Sequence, residues 1–246
     1  MKLGIQLYTL RDFAEKDLED VLKKISSYGY DGVELAGLYG KSAQEIKDLL
    51  DKYNLTALSA HVSYQELEES FDAWCENARI FGMDKLSIPG YDMNLLRGDA
   101  FFETAKKFNS LIERYAEKGI KIGFHNHDGE FADGIIENME KECPNLKFEF
   151  DTYWITFAKK DPVAYLKSFG SKVFLIHLKD MKPGGIEHST PNPAVMEGIL
   201  DITAILNCVK YTSAEWVVVE MDTPDGDAFE LVRKSAENLK ASGLLY

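Results

Sequence analysis

Cysteine is scarce in this chain: Cys75, Cys143 and Cys208 stand far apart among 246 residues and never form a Cys-x-x-Cys pair. Three separated thiols give no disulfide framework and fit a reducing compartment, where they fill core space. Positive charge is also short, with 28 Lys and Arg against 41 Asp and Glu and a net charge of -13. That balance argues against nucleic acid or anionic membrane as a partner, because no surplus of cations is available to neutralise phosphates. No apolar run approaches the ~20 residues of a membrane span. Met1 leads directly into a strand-like run, so no signal peptide and a cytoplasmic location are expected. Neither Gly-x-Gly-x-x-Gly nor a Walker sequence occurs, which removes support from dinucleotide and P-loop readings.

What the sequence does contain is a regular alternation. Apolar runs at 3–8, 32–36, 55–60, 85–88, 146–151, 173–177 and 216–220 read as strands, together with the run from Ile122 that ends in His125-Asn-His127. Helical periodicity follows each run, as at 17–28, 99–118, 134–142, 202–209 and 227–240. The start and stop signals agree: capping boxes at Ser42-Ala-Gln-Glu45 and Ser63-Tyr-Gln-Glu66, Asp161-Pro162 at a first turn, and Gly29 after a helix. Eight strand–helix pairs without a composition break predict an α/β fold, a single (β/α)8 TIM-barrel domain over 1–246. The stretch 182–201 lacks periodicity and carries Pro183, Pro191 and Pro193, so a functional loop, such as a lid, is expected there.

Barrel active sites are built at the C-terminal ends of the strands. The residues at those positions are Glu34, His61, His125 with His127, Asp151, His177 and Glu220. His125 and His127 share one face of an extended strand. Four of the five histidines fall at strand ends, and His188 falls in the long loop. Singly, such a carboxylate can cap a helix and such an imidazole can be a core residue. Together they supply nitrogens and oxygens from separate strands, a mixed donor set that suits a divalent Mn, Co, Fe, Ni or Zn ion.

The motifs Gly4-Ile-Gln-Leu-Tyr-Thr-Leu-Arg-Asp12, Asp31-Gly-Val-Glu-Leu-Ala-Gly37, His125-Asn-His-Asp-Gly-Glu-Phe131, Asp151-Thr-Tyr-Trp154 and His177-Leu-Lys-Asp180 span the chain. With them it resembles the sugar phosphate isomerase/epimerase proteins of the xylose isomerase-like TIM-barrel superfamily. The resemblance implies a small-molecule carbohydrate substrate and a divalent metal held at the ends of strands five to eight. The matching positions are His125, Asp151, His177 and Glu220, with His127 as the alternative to His125. Epimerases of the superfamily often pair a strand-five glutamate with the strand-eight glutamate, and this chain departs from them by carrying histidine at strand five.

A metal chelating a carbonyl and the neighbouring hydroxyl stabilises the enediolate left when a base removes a proton. Glu220, His127 and Glu130 are the acid/base candidates. Glu34, His61, Trp154 and Lys179 are the substrate-contacting candidates, with Tyr8 as a further apolar face and Asp180 as a residue that orients a ligand or caps the next segment. The leading expectation is a metal-dependent isomerase or epimerase acting on a sugar or sugar derivative. The rival is a keto-sugar or inosose-type dehydratase on the same site, since histidine-rich fifth strands also look like those of inosose dehydratases. An apurinic-site endonuclease is disfavoured by the charge. A non-catalytic sugar-binding barrel is the remote alternative.

Overall fold

Every strand-like run forms a short parallel strand in the computed structural model, which describes residues 1–245. The strands are β1 (Lys2–Gln6), β2 (Gly32–Leu35), β3 (Thr56–His61), β4 (Lys85–Ile88), β5 (Lys121–His125), β6 (Lys147–Asp151), β7 (Val173–Leu178) and β8 (Trp216–Val219). They close in sequence order into one barrel, with β1 paired to β8 from Lys2↔Trp216 to Ile5↔Val219. The intervening helices bury apolar stripes such as Leu18, Val21, Leu22 and Ile25 of Leu18–Tyr28 against the outside of the strands. Among the described residues no helix is long and apolar enough to cross a membrane.

Local chemistry sets the boundaries. Asp17 caps Leu18–Tyr28 and Gly29 ends it in the left-handed region at φ 84. The Ser42 box forms completely. The second expected box is only half formed, because Glu66 accepts from Trp74 Nε1 at 2.9 Å instead of turning back to Ser63. The first strand stops at Gln6, whose side chain accepts from the Tyr8 amide at 3.0 Å and turns Leu7–Leu10 into a short 3-10 segment.

Period two along the strands separates the barrel interior into levels. Lower down, Leu58, Phe174, Leu175, Trp216 and Val218 form an apolar plug. Gly123 is required there, since a Cβ would collide with the ring of Phe174. Higher up, the buried positions are polar: Gln6, Glu34, Ser59, Ser87, His125, Glu149, Asp151, His177 and Lys179. The site therefore rests on a dry floor.

The segment after β7 is a pinned wall rather than a free lid. The Asp180 carboxylate accepts from the amides of Met181, Met196, Gly198 and Leu200 at 2.8–3.1 Å. A Cβ at Gly198 would collide with Asp180 Oδ1 and Met181 O, so the close approach needs glycine. Asn192 bonds both ways to the segment after β8, donating to Thr223 O at 2.7 Å and accepting from the Asp225 amide at 2.9 Å.

Candidate active site

Consecutive strands deliver the four expected ligand residues to one place. His125 ends β5, Asp151 ends β6, His177 lies in β7, and Glu220 follows β8 by one residue, its amide 3.3 Å from Leu178 O. One donor atom from each lies within 4.8 Å of the others, and all four residues are buried. Side-chain clamps fix these strand ends. Asn126 Oδ1 accepts from the Asp151 amide at 3.0 Å, and Thr152 Oγ1 donates to His177 O at 3.0 Å. Asp151 Oδ1 accepts from the Tyr153 and Trp154 amides at 2.8 and 3.1 Å, capping the helix Thr152–Phe157. Its Oδ2 is buried and has no hydrogen bond of acceptable geometry, although Lys179 Nζ stands 2.8 Å away as an ion pair. A buried carboxylate oxygen whose one neighbour of opposite charge is the Lys179 ammonium, set beside two imidazoles and a second carboxylate, belongs to a donor set that fits a divalent cation.

Beneath this group lies a second set of charges. Glu149 Oε1 is 2.6 Å from His61 Nε2 and 2.9 Å from both His125 Nδ1 and His177 Nε2, while Ser87 donates to Oε2 at 2.6 Å. His177 bridges the levels, with Nε2 2.6 Å from Glu34 Oε2 and Nδ1 2.9 Å from Glu220 Oε2. Ser59 donates to the other Glu34 oxygen. Burial alone would lower the His61 pKa, but Glu34 and Glu149 outweigh it and raise it to about 9. Burial would raise Glu220, yet Lys179 and His177 hold it well below the usual carboxylate range. His127 falls to about 3, chiefly through burial, with His125 and Lys179 adding to the effect, so its imidazole is neutral at pH 7.

Above the polar set opens a cavity of about 710 Å³ whose wall includes Tyr8, His61, His125, His127, Trp154 and Glu220. Glu34 and Lys179 do not reach that wall. Glu34 is sealed beneath His177, and Lys179, which is fully buried, pairs with Asp151, Glu220 and Asp222 at 2.7–2.9 Å. Glu130 also lies off the wall and accepts from the His127 amide at 3.0 Å, anchoring the turn that presents the imidazole. Burial raises its pKa. Glu149, Asn126 and Asp222 were not among the expected site residues. Glu149 and Asp222 each stand two positions from one, so period two carries the signal that marks them.

The family profile described as xylose isomerase-like TIM barrel matches residues 22–242. The rhizopine catabolism protein MocC of Rhizobium meliloti is 26% identical over 261 residues, covering 90% of this chain and 80% of its own. An inosose dehydratase of Clostridium beijerinckii is 24% identical over 267 residues, covering 92% and 90% respectively. Among solved structures, a sugar phosphate isomerase/epimerase from Parabacteroides distasonis aligns over 100% of both chains, with a TM-score of 0.85 and 22% identity. That likeness shows a shared fold.

Proposed function

The chain belongs to the xylose isomerase-like TIM-barrel family, and on that premise we propose that it is a divalent-metal-dependent isomerase or epimerase that moves a proton beside the carbonyl of a sugar or sugar derivative. The observation that carries this reading is the convergence of His125, Asp151, His177 and Glu220, with donor atoms within 4.8 Å of one another, under an open cavity.

These four residues would hold the cation, which supplies positive charge and Lewis acidity beside the carbonyl oxygen of a bound ketone. Glu220 is ionised, stands on the cavity wall and takes the proton from the neighbouring carbon. His127, neutral and a weak base, donates or accepts hydrogen bonds to the substrate from the other side, positioned by Glu130. Glu149 and Glu34 hold His125 and His177 in orientation. His61 and Trp154 contact the substrate from the cavity wall. Lys179 acts on the substrate only through the carboxylates it pairs with. Return of the proton to the adjacent carbon gives isomerisation, and return to the opposite face gives epimerisation.

A second reading, loss of a β-hydroxyl to give dehydration, is favoured by the inosose dehydratase relative. Incubating metal-loaded protein with ketohexoses and an inosose in deuterium oxide separates the two. Exchange of a hydrogen next to the carbonyl is expected, with an isomeric product for the first reading and loss of water for the second. A metal-loaded protein that exchanges no hydrogen with any ketone would refute both and support a binding protein.

A further inference from the structure

The level beneath the proposed cation site holds a second group of donors. Three imidazole nitrogens ring Glu149 Oε1: His61 Nε2 at 2.6 Å, and His125 Nδ1 and His177 Nε2 at 2.9 Å each. One donor atom from each of these four residues lies within 4.8 Å of the others, the same limit that the upper group meets. Glu149 and Asp151 stand two positions apart on β6, so period two along one strand stacks the two groups. His125 and His177 belong to both groups, but with different atoms. His177 turns Nδ1 to Glu220 Oε2 at 2.9 Å and Nε2 to Glu149, while His125, with Nδ1 on Glu149, keeps Nε2 for the upper group. His61 and Glu149 belong to the lower group alone.

Charge balance points the same way. Glu34 and Glu149 are both fully buried, and Glu34 Oε2 stands 2.6 Å from His177 Nε2 and 3.6 Å from His61 Nε2. Among the described residues no lysine or arginine pairs with either carboxylate, and every ion-pair partner they have is a histidine. Lys179 is committed to Asp151, Glu220 and Asp222. Two buried negative charges need positive charge beside them, and one divalent ion supplies both units. A donor set of three imidazoles and one carboxylate suits zinc and its neighbours better than magnesium or manganese. We propose that His61, His125, Glu149 and His177 form a second, closed site for a zinc-like ion beneath the one that faces the cavity. Glu149 and His177 are fully buried, whereas His61 and His125 reach the cavity wall, so the ion enters past the His61 ring and is then enclosed by four protein ligands, as structural zinc is. This site fills after the upper one, because His177 must then give its last ring proton to water and the two ions repel each other. The purified protein therefore carries the upper ion, and added zinc fills the lower site. The proposal concerns binding and does not depend on the reaction proposed above.

Equilibrium dialysis against zinc, followed by elemental analysis, tests this in the unsubstituted protein, His61→Gln, Asp151→Ala and the double variant, each checked for native secondary structure. The unsubstituted protein should rise to about two ions per chain, and His61→Gln should stop at about one, since glutamine keeps a hydrogen bond to Glu149 but loses the ring nitrogen. Asp151→Ala, which removes a ligand of the upper site only, should take up about one ion on added zinc, and the double variant should take up none. Cobalt in place of zinc gives a second readout, because a tetrahedral cobalt ion absorbs visible light far more strongly than a six-coordinate one. That absorption should appear in cobalt-loaded Asp151→Ala and vanish in the double variant. Saturation of the unsubstituted protein at one ion would overturn the proposal whether or not the variants fold. So would a second ion retained by His61→Gln, or a folded Asp151→Ala protein that takes up no zinc.

Discussion

Glu149 Oε1 lies 2.9 Å from His125 Nδ1, and the two residues are direct register partners on neighbouring strands β5 and β6. The carboxylate fixes the ring orientation and leaves Nε2 as the free nitrogen. A buried carboxylate behind a ligating imidazole raises its basicity and holds its tautomer.

Glu149→Gln is accordingly expected to weaken divalent-metal affinity by about 10–100-fold, the usual effect of such outer partners. Competition titration with a chelating dye measures it. Unchanged affinity would mean that Glu149 only balances the charge of His61 and His177.

Lys179 presents a different case, because its ammonium lies 2.8 Å from Asp151 Oδ2 and 2.9 Å from Glu220 Oε2. A divalent cation on those oxygens would be repelled by it. Lys179→Met should destabilise the metal-free protein by about 3–5 kcal/mol, since buried carboxylates lose their partner. The same substitution should enlarge the rise in melting temperature on adding metal. Thermal melts with and without metal give both values, and a smaller metal-induced rise would contradict the account.

His61 sets a pH dependence in the metal-free protein. Its folded pKa of about 9 lies above its ordinary 6.5, so the stability it contributes is fully present below about 6.5 and is lost as pH rises through about 9. The melting temperature of metal-free protein should fall between about pH 6 and about pH 10, and His61→Gln should flatten that slope. An equal slope in the variant would assign the fall to other groups.

Asp180 ties four backbone amides of the segment that carries Thr190 and Asn192. Asp180→Ala should lower global stability by about 3 kcal/mol. Hydrogen exchange should quicken first at Met196, Gly198 and Leu200. Uniform exchange across the barrel would show that the carboxylate does not hold this segment separately.

The eight strand–helix units were legible in the sequence because each strand is a short apolar run followed by a helical pattern, and because Asp17, Ser42, Asp161 and Asp227 cap helices where those patterns begin. The convergence of strand-end histidines and carboxylates was legible for the same reason, since barrel closure brings all C-terminal strand ends to one rim. What a strand end does not reveal is depth. Glu34 and Lys179 stand at strand ends like His61, yet they are sealed below the cavity because His177 and the carboxylates cover them. Nor did the sequence reveal that Glu66 bonds to Trp74, or that Asp180 gathers amides up to 20 residues away, since both depend on contacts made only in the folded chain.

In the proposed site, His125, Asp151, His177 and Glu220 together hold one divalent cation. The direct test is elemental metal analysis of the purified protein beside Asp151→Ala and Glu220→Ala, each checked for native secondary structure. About one divalent ion per chain is expected in the unsubstituted protein, with a loss of at least about ten-fold in both variants, because each removes a charged donor. Metal content unchanged in both variants would contradict the site.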